Sequence, residues 1–169
     1  MDVEFEQFAR QRLPGLVRFA AALTGDRELA QDLVQDALAK AHRRWSVVRA
    51  ADHPDLYLRR MVVNGYLSWR RRWYQRTVEP ASDSGVLDRG RVDDPAGRVA
   101  DADQIATLLT KLTKPQRVAI VLRFFEERTD EEIAEVLGCA PATVRSHVHR
   151  GLRALRVRAD AQTAREVAP

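Results

Sequence analysis

Apolar residues recur along this chain at intervals of three and four and never in strict alternation, so the pattern predicts helices and no strands. From Val3 to Leu23, the residues Phe5, Phe8, Leu16, Phe19, Ala20 and Leu23 keep a helical period, with Pro14-Gly15 marking a break or kink. Thr24-Gly25-Asp26 reads as a turn ending in a good N-cap. The next helix, about Arg27 to Trp45, buries Ala30, Leu33, Val34, Ala37, Leu38 and Ala41. It turns Gln31, Asp32, Gln35, Asp36, Lys40 and Arg43 outward, a mixed polar and acidic strip that is either simply solvated or a docking face. Ser46 to His53 reads as a loop, and Pro54 takes the first turn of a third helix. Leu58, Met61, Val62, Gly65 and Trp69 form its core stripe, while Arg60, Asn64, Ser68 and Arg71 line another side.

Between Glu79 and Asp103 the period disappears. Pro80, Pro95, Gly85, Gly90 and Gly97 interrupt it, and Asp83, Asp88, Asp93, Asp94, Asp101 and Asp103 make the stretch acidic, as in a linker. Helix resumes near Ala102 with Ile105, Leu108, Leu109 and Leu112 facing inward. Thr113-Lys114-Pro115-Gln116 is a capping-box pattern opening a helix that buries Val118, Val121, Leu122 and Phe125. A second box, Thr129 with Glu132, starts a helix at Asp130 whose apolar face is Ile133, Ala134 and Leu137. Gly138 supplies the positive φ that ends it, and Pro141 opens another helix. Val144, Val148, Leu152 and Leu155 form that helix's buried stripe, opposite Arg145, Ser146, His149, Arg150 and Arg153. Helix, tight glycine turn and basic-faced second helix make a helix-turn-helix. After Arg158 the tail is small, polar and frayed. The fold class is therefore all-α. Two small helical domains, 1–79 and 102–160, are joined by a flexible acidic linker, 80–101, and followed by a tail, 161–169.

Charge changes the picture more than composition does. The chain of 169 residues is 45% hydrophobic and 31% charged, with a formal charge of +4, and its cations are segregated. From Ala140 to Ala159 there is no carboxylate, while Arg145, Arg150, Arg153, Arg156 and Arg158 fall there. From Tyr57 to Val78 the only charges are the arginines 59, 60, 70, 71, 72 and 76, interleaved with Tyr66, Trp69, Trp73 and Tyr74. Arginine beside aromatic suits single-stranded nucleic acid, with charge for phosphates and flat faces for unstacked bases. The plainer reading makes the aromatics core and the arginines a solvated edge. Arg145 and Arg150, expected on the exposed face and free of nearby carboxylates, are the best base readers, and Arg153 and Arg156 are phosphate clamps or solvated charges.

Several classes are disfavoured. No apolar run approaches a membrane span, and Met1-Asp2-Val3-Glu4 is unlike a signal peptide, so an intracellular protein without a membrane partner is expected. Cys139 is the lone cysteine, which excludes a disulfide framework and a thiolate metal cluster. His42, His53, His147 and His149 form no metal or catalytic spacing, and there is no phosphate-binding glycine loop. No enzyme, catalytic residue, metal or cofactor is expected.

Taken together, the two halves resemble a bacterial sigma factor of the extracytoplasmic-function group. Leu112-Thr113-Lys114-Pro115-Gln116-Arg117, Leu122-Arg123-Phe124, Glu131-Glu132-Ile133-Ala134, Leu137-Gly138 and Thr143-Val144-Arg145-Ser146 are similar to that family's region four. Leu23-Thr24-Gly25-Asp26, Asp32-Leu33-Val34-Gln35-Asp36 and Tyr57-Leu58-Arg59-Arg60-Met61-Val62-Val63-Asn64 are similar to its region two. The resemblance implies that Asp32, Gln35, Asp36 and Lys40 dock on core RNA polymerase. It places Asn64, under the Ser46–His53 loop, at the pocket for a base flipped from the minus-ten element, beside Arg60, Ser68 and Arg71. It assigns Arg145, Ser146, His149 and Arg150 to reading the minus-thirty-five element. Core polymerase and promoter DNA are the implied partners, an anti-sigma factor a further candidate, and the cytoplasm the implied place. Two positions depart from the family pattern: Ala140 stands where a Ser N-cap is common, and His147 where many members carry Arg. The competing reading is a helix-turn-helix regulator that does not bind core polymerase as a sigma factor.

Overall fold

The computed structural model describes residues 3–76 and 99–166, with side-chain surroundings over residues 3–68 and 105–157. Among the described residues every regular element is helical. The first domain holds α1 (Val3–Thr24), α2 (Arg27–Arg43), α3 (Trp45–Arg49) and α4 (Pro54–Arg76). The second holds α5 (Val99–Thr110), α6 (Lys114–Ile120), a π-helical turn (Val121–Phe125), α7 (Asp130–Leu137) and α8 (Pro141–Glu166). Residues 77–98, most of the expected linker, lie outside the described residues, and α5 starts slightly ahead of the expected Ala102.

In the first domain α1, α2 and α4 close on Leu16, Phe19, Leu23, Val34, Leu58 and Val62, all essentially inaccessible. Asp26 is extended, and its carboxylate accepts the Leu29 N–H at 3.0 Å, which fixes the start of α2. The expected break at Pro14 does not occur. α1 runs through it because Pro14 and Arg10 both face solvent, where the carbonyl that proline leaves unbonded can turn outward. The expected Ser46–His53 loop is corrected as well: it begins inside α3. Trp45 packs against Phe5 and Phe8 at ring-centroid distances of 5.4 and 5.1 Å, and Val48 is fully buried, so tertiary contacts hold a helix too short to stand alone.

In the second domain both halves of the Thr129 capping box form. Thr129 Oγ1 accepts from the Glu132 N–H at 3.2 Å, and Glu132 Oε2 accepts from the Thr129 N–H at 2.9 Å. Gly138 ends α7 at φ +67°, a left-handed conformation that glycine adopts without strain. α8 crosses α6 at Gly151, where a Cβ would lie 2.5 Å from Ile120 Cδ1. Three expected core residues are exposed instead: Ile105, Phe125 and Leu152. The π-turn accounts for Phe125. One extra residue per turn shifts the register, burying Val121 and Leu122 and turning Phe124 and Phe125 outward. The chain after Arg158, expected to fray, continues as helix to Glu166.

The two domains pack directly, α4 against α7 and α1 against α5. Much of what joins them is charged. Arg128 Nη2 donates to Asp55 of α4 at 2.7 Å and its Nη1 to Glu132 of α7 at 3.1 Å, while its backbone N–H reaches Leu122 O at 3.0 Å. Arg59 pairs with Glu126, and Asp55 lies 3.6 Å from Arg59. Glu127, at φ +53°, turns the chain between Glu126 and Arg128 so that both neighbours reach α4. From α6, Arg117 Nη1 donates to Leu23 O at 2.6 Å and Lys114 Nζ to Tyr66 O at 2.7 Å, with both cations over the Tyr66 ring.

Burial opposes ionisation of Asp55, but the Arg128 and Arg59 guanidiniums together hold its carboxyl below the usual carboxylate range. A depressed carboxylate pKa contributes stability that is complete above its unfolded value and is lost as pH falls through the folded one. The interdomain contact is therefore expected to loosen in acid, below about pH 4. Arg128→Ala should weaken it at neutral pH by about 1–3 kcal/mol, between the small worth of a surface pair and that of breaking a buried one. Small-angle scattering against pH checks both: the wild type expands in acid, and the variant is already expanded at pH 7.

Candidate nucleic-acid interface

α4 has two working sides. Asp55, Arg59 and Tyr66 turn toward the second domain, and Arg60 and Asn64 turn to solvent. On the outward side a cleft of about 630 Å³ is lined by Tyr57, Arg60, Met61 and Asn64 of α4, with Lys40, Arg43 and Arg44 opposite. Its wall therefore carries four cations and no carboxylate. The local sequence explains the shape. α2 ends in Lys40, His42 and Arg43, where its carbonyls favour positive charge, and the Arg44 N–H closes on Lys40 O at 3.2 Å before α3 turns away.

The structure rearranges the sequence expectations around this cleft. Asn64 lies in it, but the wall facing it is the end of α2 and not the Ser46–His53 segment. Lys40, expected on the docking strip, lines the cleft, whereas Asp32, Gln35 and Asp36 stay exposed along α2. Ser68 is half-buried, its hydroxyl donating to Gly65 O at 3.2 Å, and it does not line the cleft. Arg71, with Trp69, Trp73, Tyr74 and the other late arginines of α4, lies outside the residues with described side chains. Tyr66 and Arg59, counted with the basic and aromatic run, are corrected: both are buried between the domains, so the plainer reading holds for Tyr66, while Arg59 is neither a nucleic-acid contact nor a solvated edge but an interdomain ion pair. Arg44 and Tyr57 were missed. Tyr57, Arg60, Met61 and Asn64 stand at i, i+3, i+4 and i+7, a spacing that already puts them on one helical face.

On α8, Arg145, Ser146, His149, Arg150 and Arg153 are all exposed, above a buried Val144 and Gly151. The Ala140 carbonyl takes the first bonds of the helix, from the Thr143 and Val144 N–H groups at 2.9 and 3.2 Å. The expectation that Arg145 is free of carboxylates is corrected: its Nη1 lies 3.5 Å from Asp130 Oδ2, a residue fifteen positions earlier that the turn folds back beneath it. Ser146 donates its hydroxyl to Ala142 O at 3.2 Å and keeps its oxygen outward as an acceptor. Burial, and then the Arg150 cation, push the His147 imidazole below its ordinary range, so it is neutral at pH 7.

A carboxylate-free cationic cleft on one domain and an arginine-faced helix on the other suit a polyanion with extended reach. No helix among the described residues is long and apolar enough to cross a membrane. Comparison with known proteins agrees in both halves. Residues 8–77 match the family model of Sigma-70 region 2, and residues 102–155 that of Sigma-70, region 4. The RNA polymerase sigma-E factor of Streptomyces coelicolor is 36% identical over 154 residues, covering 91% of this chain and 85% of that protein. The ECF RNA polymerase sigma factor SigL of Mycobacterium tuberculosis is 30% identical over 143 residues, covering 84% and 81%. Among solved structures, the sigma factor RpoE of Bartonella quintana, in complex with the anti-sigma factor NepR, superposes with a TM-score of 0.71 at 25% identity over 90% of this chain and 94% of that one. CnrH, in complex with the cytosolic domain of CnrY, shares the fold at a TM-score of 0.63 and 23% identity. A separate helix-turn-helix regulator would not carry the region-two half. With both regions present in order and relatives that match across nearly the whole chain, the protein belongs to the sigma-70 family of RNA polymerase sigma factors, in its extracytoplasmic-function group.

Proposed function

We propose that this sigma factor docks on core RNA polymerase through the exposed acidic face of α2, centred on Asp32, Gln35 and Asp36, and reads the promoter at two places. The first domain, residues 1–79, takes a base flipped from the minus-ten element into the cleft at Asn64. The second, residues 102–160, lays α8 into the major groove of the minus-thirty-five element. The observation that carries this reading is the cleft: four cations and no carboxylate surround an amide that can both donate to and accept from a base edge. Lys40, Arg43, Arg44 and Arg60 would neutralise the flanking phosphates, and Tyr57 offers a flat face to the unstacked base. Flipping costs a few kcal/mol, which these contacts must offset. The chain then acts without catalytic residue or cofactor of its own, in the cytoplasm with the polymerase. An anti-sigma factor is a fitting partner, because the sigma factor RpoE of Bartonella quintana, which shares this fold, was solved bound to one.

This function asks the domains to part. Two elements some 25 base pairs apart lie roughly 80 Å from each other at about 3.4 Å per pair. A packed chain of this length has a radius of gyration of only about 15 Å. The residues between Arg76 and Val99, fully extended, reach about 75 Å. Holding both elements therefore requires the contact between α4 and α7 to open.

Reversing charge on the docking face, Asp32→Lys with Asp36→Lys, should lower affinity for core polymerase at least tenfold while circular dichroism of the free chain stays unchanged. Unaltered affinity would remove α2 from the docking surface. Asn64→Ala should slow open-complex formation by roughly 10-fold or more, leaving upstream-duplex binding intact, because the flipped base loses both of its amide bonds. Permanganate footprinting of the melted region against time separates the two steps.

A further inference from the structure

We infer that Asp130 is a positioning residue for promoter recognition: its carboxylate holds the Arg145 guanidinium by one amino group and so determines how that arginine meets the upstream element. The inference rests on the proposal that Arg145 reads DNA, and concerns what directs it there.

Three consecutive carboxylates open α7, and the structure gives each a different surrounding. Glu132 folds back on the Thr129 N–H and on Arg128, and Glu131 is exposed. Asp130 alone faces the recognition helix. Its side chain is only 17% exposed, it contacts Arg123 of the π-turn, and its Oδ2 lies 3.5 Å from Arg145 Nη1. One carboxylate thus ties together the π-turn, the first helix of the motif and α8. Arg145 is otherwise open, with its side chain 62% exposed.

A guanidinium has five N–H donors in a planar fork. With Nη1 drawn toward Asp130 as an ion pair, the Nε and Nη2 donors remain for a second acceptor, the two-pronged edge that suits guanine N7 and O6. The tether restricts the side-chain rotamers before DNA arrives, so less conformational freedom is lost on binding. It also places a negative charge beside Arg145, which disfavours a phosphate as the second partner and favours a neutral base edge. An untethered arginine at the same place would be free to swing to the backbone, where it contributes affinity without sequence information.

The test uses the full chain assembled with core polymerase, titrated against duplexes selected from a randomised upstream library, at two salt concentrations. Arg145→Ala should flatten preference at one base pair by roughly 10-fold or more. Asp130→Asn should flatten the same base pair by about 3–10-fold. It should also steepen the log–log salt dependence by about one unit as the released arginine takes a phosphate. A purely structural loss would weaken all sequences without steepening that slope. In an Arg145→Ala background, Asp130→Asn should change nothing further at that base pair. Arg123→Gln, which disturbs the same carboxylate from the other side, should leave base preference as in wild type. Where Asp130→Asn fails to fold by thermal melt, Asp130→Glu takes its place. It keeps the charge, displaces the guanidinium, and should lower discrimination with the salt slope unchanged. Wild-type preference in whichever of these variants folds, or equal effects from Arg123→Gln, would overturn the role of Asp130. Wild-type preference in Arg145→Ala would instead sink the reading of Arg145 itself, and this inference with it.

Discussion

Arg128 is the point on which the arrangement of the two domains depends. Its guanidinium bridges Asp55 of α4 and Glu132 of α7, and its backbone is held by Leu122 at the head of the π-turn. With Arg59 on Glu126, Arg117 on Leu23 O and Lys114 on Tyr66 O, it makes an interface in which charge and carbonyl do much of the joining. Interfaces of that kind resemble transient contacts more than a hydrophobic core cut in two. Each ion loses water on docking and regains most of that loss from its partner, so the net stabilisation is small beside the individual interactions. The parting of the domains proposed above is compatible with a contact of this kind.

The division of α4 follows from the same constraint. Its side toward α7 carries Asp55, Arg59 and Tyr66, which are committed to packing. Its other side carries Tyr57, Arg60 and Asn64, which remain open at the cleft. A single helix thus presents one face to the neighbouring domain and another to the open cleft. Because the cleft lies away from the interdomain contact, the packed form leaves Asn64 accessible. In the proposed function, separation of the domains serves span and is not required to uncover that cleft.

Charge is also partitioned in the helix-turn-helix. The carboxylates gather at the N-terminus of α7, where the helix dipole favours them, and the arginines along the first part of α8, residues 141–159, where there are none. The turn at Gly138 brings the two helices together, so that Asp130 of the first sits beside Arg145 of the second. A carboxylate beside Arg145 offsets part of that arginine's positive charge.

By itself the sequence determined the elements whose causes are local. Asp26 caps α2, the Thr129–Glu132 box starts α7, Gly138 ends it, and Pro141 opens α8, each through groups within four residues of one another. The helical periods marked most of the core, and the segregated arginines marked the exposed face of α8, because charge sign and spacing are written in the chain. Tertiary structure alone decided what depends on contacts between distant segments. Arg128 meets Asp55 across 73 positions and Arg117 meets Leu23 across 94, and no periodicity reports which faces will touch. So Tyr66 and Arg59, which the basic run marked as nucleic-acid contacts, are buried, and Trp45 and Val48 form a helix where a loop was expected. Phe125 is turned outward by a π-turn that an α-helical period cannot register. Arg43 and Arg44 complete a cleft whose other wall lies beyond a helix and a turn. Local rules fix which groups a helix presents, and only packing fixes which of them still face solvent.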